Sequence, residues 1–299
     1  MFPLPPTPPG ADPEKVAFAA SICAAAAIEA GSGTVAIGCR SNPPFDKPGR
    51  RPDGVLASGL DAVKVCTIDH IYRGSFTRPG AKEAALAFGT CDDGGPWNGS
   101  MPGSVVVVEE SPTSKWKVVT YEPELNANGC LVDRRPDGRD ILVCHDNFGA
   151  YSSGALRWFY SIDLSKKPKQ RVDEFAKMFE DDFPVTCGPS FPPEFLSYGV
   201  TRITIKSFVL ADANKDGKKD LVATVQRANF PASKALEAKI EALCKKGAAL
   251  VETSAYLPPA KEFTLEFLND GYAFVPTPAT QKRLDAWRTG APDSWWNLR

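Results

Sequence analysis

One nine-residue segment of this 299-residue chain has residue types and a spacing that suit a metal ion. The segment Asp212–Asp220 reads D-A-N-K-D-G-K-K-D, so acidic or amide oxygens occur at its positions 1, 3, 5 and 9 and a glycine at position 6. Alternating side chains of such a loop turn toward one centre, and the glycine permits the tight bend. Calcium takes about six to eight hard oxygen ligands, which is the chemistry that this loop offers.

The calcium hypothesis names its ligands. We expect side-chain oxygens and one backbone carbonyl oxygen from Asp212, Asn214, Asp216, Lys218 (carbonyl) and Asp220. An EF-hand would also need a glutamate at position 12 and a helix on each side, but position 12 is Ala223. Apolar residues alternate with polar ones before and after the loop, which predicts two flanking β-strands. The competing interpretation is an ordinary hairpin turn rich in Asp and Gly.

Two weaker copies of this pattern precede the loop, each with a glycine turn, an acidic residue and an apolar strand. One copy spans residues 134–140 around Gly138, but Arg135 stands where an oxygen ligand is needed. The other spans residues 78–83 around Gly80 and has only Glu83 as an acid. Both are expected to be plain turns. The repetition favours units of about four strands with loop insertions, as in propeller blades.

The segment Asp212–Val222, D-A-N-K-D-G-K-K-D-L-V, resembles the FG-GAP and VCBS repeats, whose signature is D-x-[ND]-x-D-G-x-x-D-[LI]. The resemblance implies an integrin-like β-propeller in which calcium, held in a hairpin loop, stabilises the blade. It also implies the same five metal ligands. The chain has room for about four to five blades. The expected fold is therefore all-β with helical insertions and propeller-like.

Composition and turn signals suggest how the chain is organised. We expect a Pro-rich N-terminal spacer over residues 1–12, a propeller-like β-repeat domain over 13–290 and a C-terminal tail over 291–299 that carries two tryptophans. Helical spacing of apolar residues and capping signals predict inserted helices at Pro13–Ala30, Arg171–Glu180, Ser233–Lys246 and Gln281–Arg288. Predicted strands include Val105–Glu109, Trp116–Tyr121, Ile141–His145, Ala155–Leu164, Leu221–Gln226 and Ala248–Tyr256.

Charge and hydropathy exclude several classes of partner. Lysine plus arginine (35) nearly balances aspartate plus glutamate (36), so we expect no nucleic-acid partner. No apolar stretch reaches the ~20 residues of a membrane helix, so a membrane-spanning protein is not expected. Only two histidines are present, which argues against a site built from several imidazoles.

The chain has eight widely spaced cysteines, none of them in a C-x-x-C pair, and they bear on whether it works in an oxidising or a reducing compartment. An even number of such cysteines favours disulfides and an extracytoplasmic protein, either secreted or periplasmic. The Pro-rich opening Met1–Gly10 shows no signal-peptide pattern. The pairing of the cysteines stays open at this point, and reduced cysteines packed as small apolar residues are the alternative.

The functional expectation is a non-catalytic, calcium-stabilised binding or scaffold module. The chain contains no nucleophile elbow, metalloprotease motif or phosphate-binding loop. The segment His145–Gly154 is predicted to be a long loop between two strands, and it mixes aromatic, amide and carboxylate groups. It is the best candidate for contacting a protein or carbohydrate ligand, and the competing interpretation is an ordinary loop with Phe148 packed inward. The alternatives are a hydrolase or other enzyme built on the same blades, or a subunit of a larger assembly.

Overall fold

The computed structural model describes most of the chain. The described residues are 9–23, 26–30, 35–39, 66–89, 104–112, 116–122, 125, 127, 129–150, 154–167, 170–180, 185–187, 200–230, 233–248 and 250–288. The predicted tail over 291–299 and most of the predicted spacer over 1–12 lie outside these residues.

Antiparallel β-strands dominate the described residues, with three short α-helices and one 3-10 turn. The helices are α1 (Pro13–Ile22), α2 (Lys234–Lys245) and α3 (Pro278–Arg288), and the 3-10 turn is Thr253–Tyr256. The strands are β1 (Ala26–Ala30), β2 (Val35–Cys39), β3 (Cys66–Gly74), β4 (Glu83–Phe88), β5 (Ser104–Glu110), β6 (Trp116–Glu122), β7 (Leu131–Arg134), β8 (Asp140–Ala150), β9 (Gly154–Ile162), β10 (Val172–Glu180), β11 (Val185–Thr186), β12 (Val200–Ala211), β13 (Asp220–Phe230), β14 (Leu250–Val251), β15 (Lys261–Asn269) and β16 (Phe274–Pro276). The predicted all-β class with helices is confirmed.

The chain forms two compact units. The first comprises residues 1–144 and 161–172, and the second comprises residues 145–160 and 173–299. In the first unit, β1 to β6 form one antiparallel sheet in chain order, so every strand is hydrogen-bonded to its sequence neighbour. Its core is continuous because β4 and most of β5 are buried along their length, and α1 contributes Phe18 to it.

The second unit is built around a four-stranded antiparallel sheet in the order β12-β13-β15-β16. Helix α2 lies between β13 and β15 in the chain, and its Leu236 and Ile240 pack with Val200 and Val251 in a small core.

The described strands form two further sheets. One has four strands in the order β10-β9-β8-β7, and in the other β11 pairs with β14. The two four-stranded sheets have the strand number of a propeller blade, and the six-stranded sheet does not. The arrangement as four to five blades stays a prediction.

The predicted helix Pro13–Ala30 is wrong in its second half. Helix α1 begins after the N-cap Asp12, whose carboxylate accepts the Glu14 and Lys15 N–H groups, but it ends at Ile22. Residues 26–30 form β1 instead, with five residue pairs to β2. Alanine favours helix in isolation, but here the hydrogen bonds of a β-ladder outweigh that local preference.

The predicted helix Arg171–Glu180 is also wrong, because these residues form β10 beside β9. Ala176, Met178 and Glu180 lie at the two-residue spacing of one strand face, and all three are buried. The Glu180 carboxylate pairs with Arg157 on β9. The apolar residues here fit both a helical and a strand pattern, and the neighbouring strand decided between them.

Two predicted helices and most predicted strands are confirmed. Helix α2 begins after the N-cap Ser233, whose hydroxyl accepts the Leu236 N–H, and α3 includes all of Gln281–Arg288. The predicted strand Ala248–Tyr256 is largely wrong, since it contains only the two residues of β14 and then the 3-10 turn.

Three disulfides join described cysteines. They are Cys23–Cys39, Cys130–Cys144 and Cys187–Cys244. The predicted disulfide chemistry is therefore confirmed, and the structure supplies the pairing of these six cysteines, which the sequence left open. Within the described ranges, no helix has the length and apolar character needed to cross a membrane.

Candidate calcium loop

The segment Asp212–Asp220 lies where the sequence predicted it, between two antiparallel strands. Strands β12 and β13 pair along their length, and the pair Ala211 and Asp220 closes the hairpin beneath the loop. Gly217 has a φ of 86°, a left-handed conformation that favours glycine, and Lys215 adopts a φ of 62°. The loop therefore bends at the position where the calcium hypothesis requires a glycine.

The first three acidic or amide side chains turn into the loop and accept its backbone N–H groups. Asp212 Oδ1 and Oδ2 accept the N–H groups of Asp216 and Gly217 at 3.0 and 3.1 Å. Asn214 Oδ1 also accepts the Asp216 N–H at 3.0 Å, and Asp216 Oδ1 accepts the Lys218 N–H at 2.9 Å. Because a carboxylate oxygen has more than one lone pair, these bonds leave acceptor capacity on the exposed side chains.

The third acid, Asp220, behaves differently because it is fully buried. Its Oδ2 atom accepts the N–H groups of Ala213 and Asn214 at 3.0 and 3.2 Å, and its Oδ1 accepts the Asn269 N–H at 2.9 Å. Asn269 ends β15, so this carboxylate fixes the loop to the neighbouring β15–β16 turn. Asp220 therefore anchors the loop from its base.

These contacts limit how well the loop fits calcium. Among the described residues, no group of three or more His, Cys, Asp or Glu side chains is placed to hold a metal ion. The oxygens of Asp220 face backbone N–H groups at the base of the loop. The other predicted ligands are the side chains of Asp212, Asn214 and Asp216 and the Lys218 carbonyl, and their binding of calcium stays a prediction. The role of Asp220 as a ligand stays a prediction.

The charge around the loop is partly compensated by Lys218. Its Nζ lies 4.0 Å from Asp216 Oδ2 and donates to the Asp270 carbonyl at 3.1 Å. The pKa of Asp216 is lowered, chiefly by the hydrogen bond from the Lys218 N–H. The Asp216 carboxylate is therefore held in the charged form that a calcium ligand needs.

The 134–140 copy forms a tight turn in which the Arg139 guanidinium binds the nearby carboxylates. Arg139 donates to Asp137 through Nε and Nη2 at 2.9 and 2.7 Å, and through Nη1 to Asp163 at 3.0 Å. Gly138 has a φ of 82°, and its N–H donates to the Arg135 carbonyl. The prediction of a turn is confirmed, and its acids bind a cation that the chain itself supplies.

A shared feature of the three copies was missed by sequence reasoning. Glu83, Asp140 and Asp220 each begin the strand after a glycine turn, and each is almost fully buried, with 2%, 3% and 0% of its surface exposed. Asp140 accepts the Ser75 N–H at 2.6 Å, and Glu83 accepts the Thr77 N–H at 2.8 Å. The acid after the glycine is thus a backbone anchor in every copy. The position of these acids at the first residue of an apolar strand was the available signal.

The segment His145–Gly154 is not the long loop that the sequence suggested. Residues 145–150 continue β8, and β9 begins at Gly154. His145 is half-buried between the rings of Phe159 and Phe208, with centroids at 6.4 and 5.0 Å. Burial lowers its pKa, so the imidazole is neutral near pH 7. These contacts describe a packed aromatic cluster.

The chain was compared with known proteins. No family model matches it, and no significant match was found among curated proteins or solved structures. The resemblance of the 212–220 loop to FG-GAP and VCBS repeats therefore rests on the motif itself.

Proposed function

We propose that this protein is a non-catalytic, calcium-stabilised binding or scaffold module of the FG-GAP and VCBS type. The observation that carries the proposal is the 212–220 hairpin loop. Three exposed side chains with free acceptor capacity, Asp212, Asn214 and Asp216, follow one another at alternate positions around a left-handed glycine. Calcium prefers such hard oxygen ligands and tolerates water at the remaining positions.

In this proposal calcium stiffens the turn and catalyses nothing. The loop joins two long strands of the second unit, so a bound ion would hold the ends of β12 and β13 in register. Binding to the folded state alone stabilises it by mass action. The binding surface for a protein or carbohydrate partner would then lie on strands that the ion keeps in place.

Calcium titration by isothermal calorimetry tests this proposal. We expect one bound ion per chain in the wild type and none in Asp216→Ala. Asp137→Ala is the matched control, because it removes the equivalent acid from the degenerate copy and leaves the 212–220 loop intact. A wild-type chain that takes up no calcium would refute the proposal.

The proposed compartment is extracytoplasmic, either secreted or periplasmic, and the three disulfides support it. Cross-links persist in oxidising environments and are rare in the reducing cytosol. Intact mass after alkylation, with and without prior reduction, tests this on protein purified from its native source. Alkylation of all eight cysteines without reductant would contradict the proposed compartment.

A further inference from the structure

Arg227 on β13 carries a partly buried charge for which the described residues supply no counter-charge. Its side chain is partly buried, its Nε atom is buried without a hydrogen-bond acceptor, and Nη2 donates only to the Asn229 amide oxygen at 3.2 Å. Among the described residues, no carboxylate forms an ion pair with it. Taking a charge out of water without a counter-charge is unfavourable, so such a residue calls for a functional reason.

Three partly or fully buried arginines among the described residues have the counter-charge that Arg227 lacks. Arg139, Arg157 and Arg171 each pair with a carboxylate, at 3.0 Å or less. The burial of Arg227 lowers the pKa of its guanidinium, and no nearby acid offsets that effect. The comparison marks Arg227 as an arginine whose partner is absent from the described part of the chain.

The neighbours of Arg227 add positive charge. Lys261 on β15 is its direct cross-strand partner, and like charges in that position repel each other. Arg283 on α3 donates to the Thr264 carbonyl, a neutral group, at 2.6 Å. Within the described ranges, neither Lys261 nor Arg283 forms an ion pair with an acid.

Two aromatic rings hold these cations in place. The Arg227 guanidinium lies 5.4 Å from the centroid of the Trp287 ring, and that of Arg283 lies 5.1 Å from the centroid of the Phe263 ring. The two rings pack edge to face at 5.2 Å. Cation–π contacts orient a guanidinium and leave its N–H donors able to bind an oxyanion.

We infer that Arg227, Lys261 and the adjoining Arg283 form a binding site for an oxyanion, a carboxylate or a phosphate group of a ligand. A guanidinium offers paired N–H donors that match the oxygens of either group, and an ammonium adds a point charge. The anion supplies the missing counter-charge and separates the like charges of β13 and β15. This inference does not depend on calcium, because it rests on a different part of the second unit.

The tests are anion titrations of the full-length protein by isothermal calorimetry and thermal melting at constant ionic strength. Inorganic phosphate and acetate are the probes, and chloride sets the ionic background. We expect at least one of the two oxyanions to bind and to raise the melting temperature. Comparing the two shows whether the site prefers phosphate or carboxylate.

Two substitutions locate the binding. Arg227→Met keeps the length and packing of the side chain, so it should fold with an unchanged or raised melting temperature while anion affinity falls at least ~10-fold. Lys261→Met should weaken binding less. Arg202→Met is the matched control, since Arg202 is exposed on β12 and alternates with the buried Ile203, the cross-strand partner of Arg227.

Three results would overturn the inference. The first is a wild-type protein that binds neither oxyanion. The second is an equal response of the wild type, Arg227→Met and Arg202→Met, which would show a general ionic effect. The third is a large loss of stability in Arg227→Met without any anion, which would show that a group within the chain already compensates the charge.

Discussion

The 212–220 loop and the 134–140 turn both close a β-hairpin, but they differ in the cation that balances the charge of their acidic side chains. Both place a left-handed glycine before a buried aspartate that begins the next strand. In the turn, the Arg139 guanidinium lies between Asp137 and Asp163. In the loop, Asp212, Asn214 and Asp216 are exposed, and Lys218 is the one cationic side chain of the described residues that approaches these acids, at 4.0 Å from Asp216.

The difference shows that the acids of this repeat have two separate roles. The buried acid after the glycine binds backbone N–H groups in both copies, so it belongs to the fold. The acids before the glycine accept N–H groups of their own turn, and they are exposed, so a cation can balance their charge. The chain supplies that cation as Arg139 in one copy, and we propose that the solvent supplies calcium in the other.

The largest expected effect comes from removing the anchors. Asp220→Asn replaces an acceptor oxygen with an N–H₂ group that faces backbone donors, and Asp140→Asn places one against the Ser75 N–H and the Arg134 guanidinium. Each should cost roughly 2–4 kcal/mol of unfolding free energy. Chemical denaturation with and without calcium measures it, with the exposed Asp173→Asn as control. A loss in Asp220→Asn that appears only with calcium present would mean that Asp220 acts as a ligand.

Removing calcium should have the second-largest effect, and this effect should depend on the 212–220 loop and not on the 134–140 turn. At a calcium concentration of about 100 times the dissociation constant, binding adds ~2.7 kcal/mol, so a chelator should lower the melting temperature of the wild type. Asp216→Ala should abolish this dependence and Asp137→Ala should retain it. If chelation leaves the wild type unchanged, the loop is an ordinary turn.

Removing the internal cation should have a smaller effect. Arg139→Met leaves Asp137 and the mostly buried Asp163 without their guanidinium, so unfolding free energy should fall by about 1–2 kcal/mol, whether or not calcium is present. Denaturation curves in chelator and in calcium should shift by the same amount. Restoration of the lost stability by calcium would show that the turn binds the ion once the arginine is gone.

The smallest expected effect is on the pKa values of Asp216 and Asp137. Backbone hydrogen bonds from Lys218 and Arg139 lower the pKa values of Asp216 and Asp137 below the ordinary aspartate value of about 3.9. The stabilisation from a lowered pKa is present above the unfolded value and is lost as pH falls through the folded value. Carboxyl NMR titration should show both shifts in chelator, and calcium should lower only the pKa of Asp216 further. An equal response of both acids to calcium would remove the distinction.

Local signals predicted the parts of the fold that depend on a few adjacent residues. The turn at Gly217 and the helix Ser233–Lys246 were both placed correctly, because turn chemistry and helical spacing depend on residues that are close together in the chain. The segments 26–30 and 172–180 were predicted as helices because their patterns suit both structures. Each became a strand because the neighbouring strand along the chain, β2 or β9, offered it a ladder of hydrogen bonds.

The candidate calcium site also has some features that local sequence predicts and others that depend on the tertiary structure. The sequence alone determined the spacing of Asp212, Asn214 and Asp216 and the strands on either side, since these follow from residue type and alternation. Only the tertiary structure decided that Asp220 faces backbone N–H groups, that Arg139 occupies the second copy and which cysteines pair. Burial and partner choice depend on residues far apart in the chain, and no local pattern encodes them.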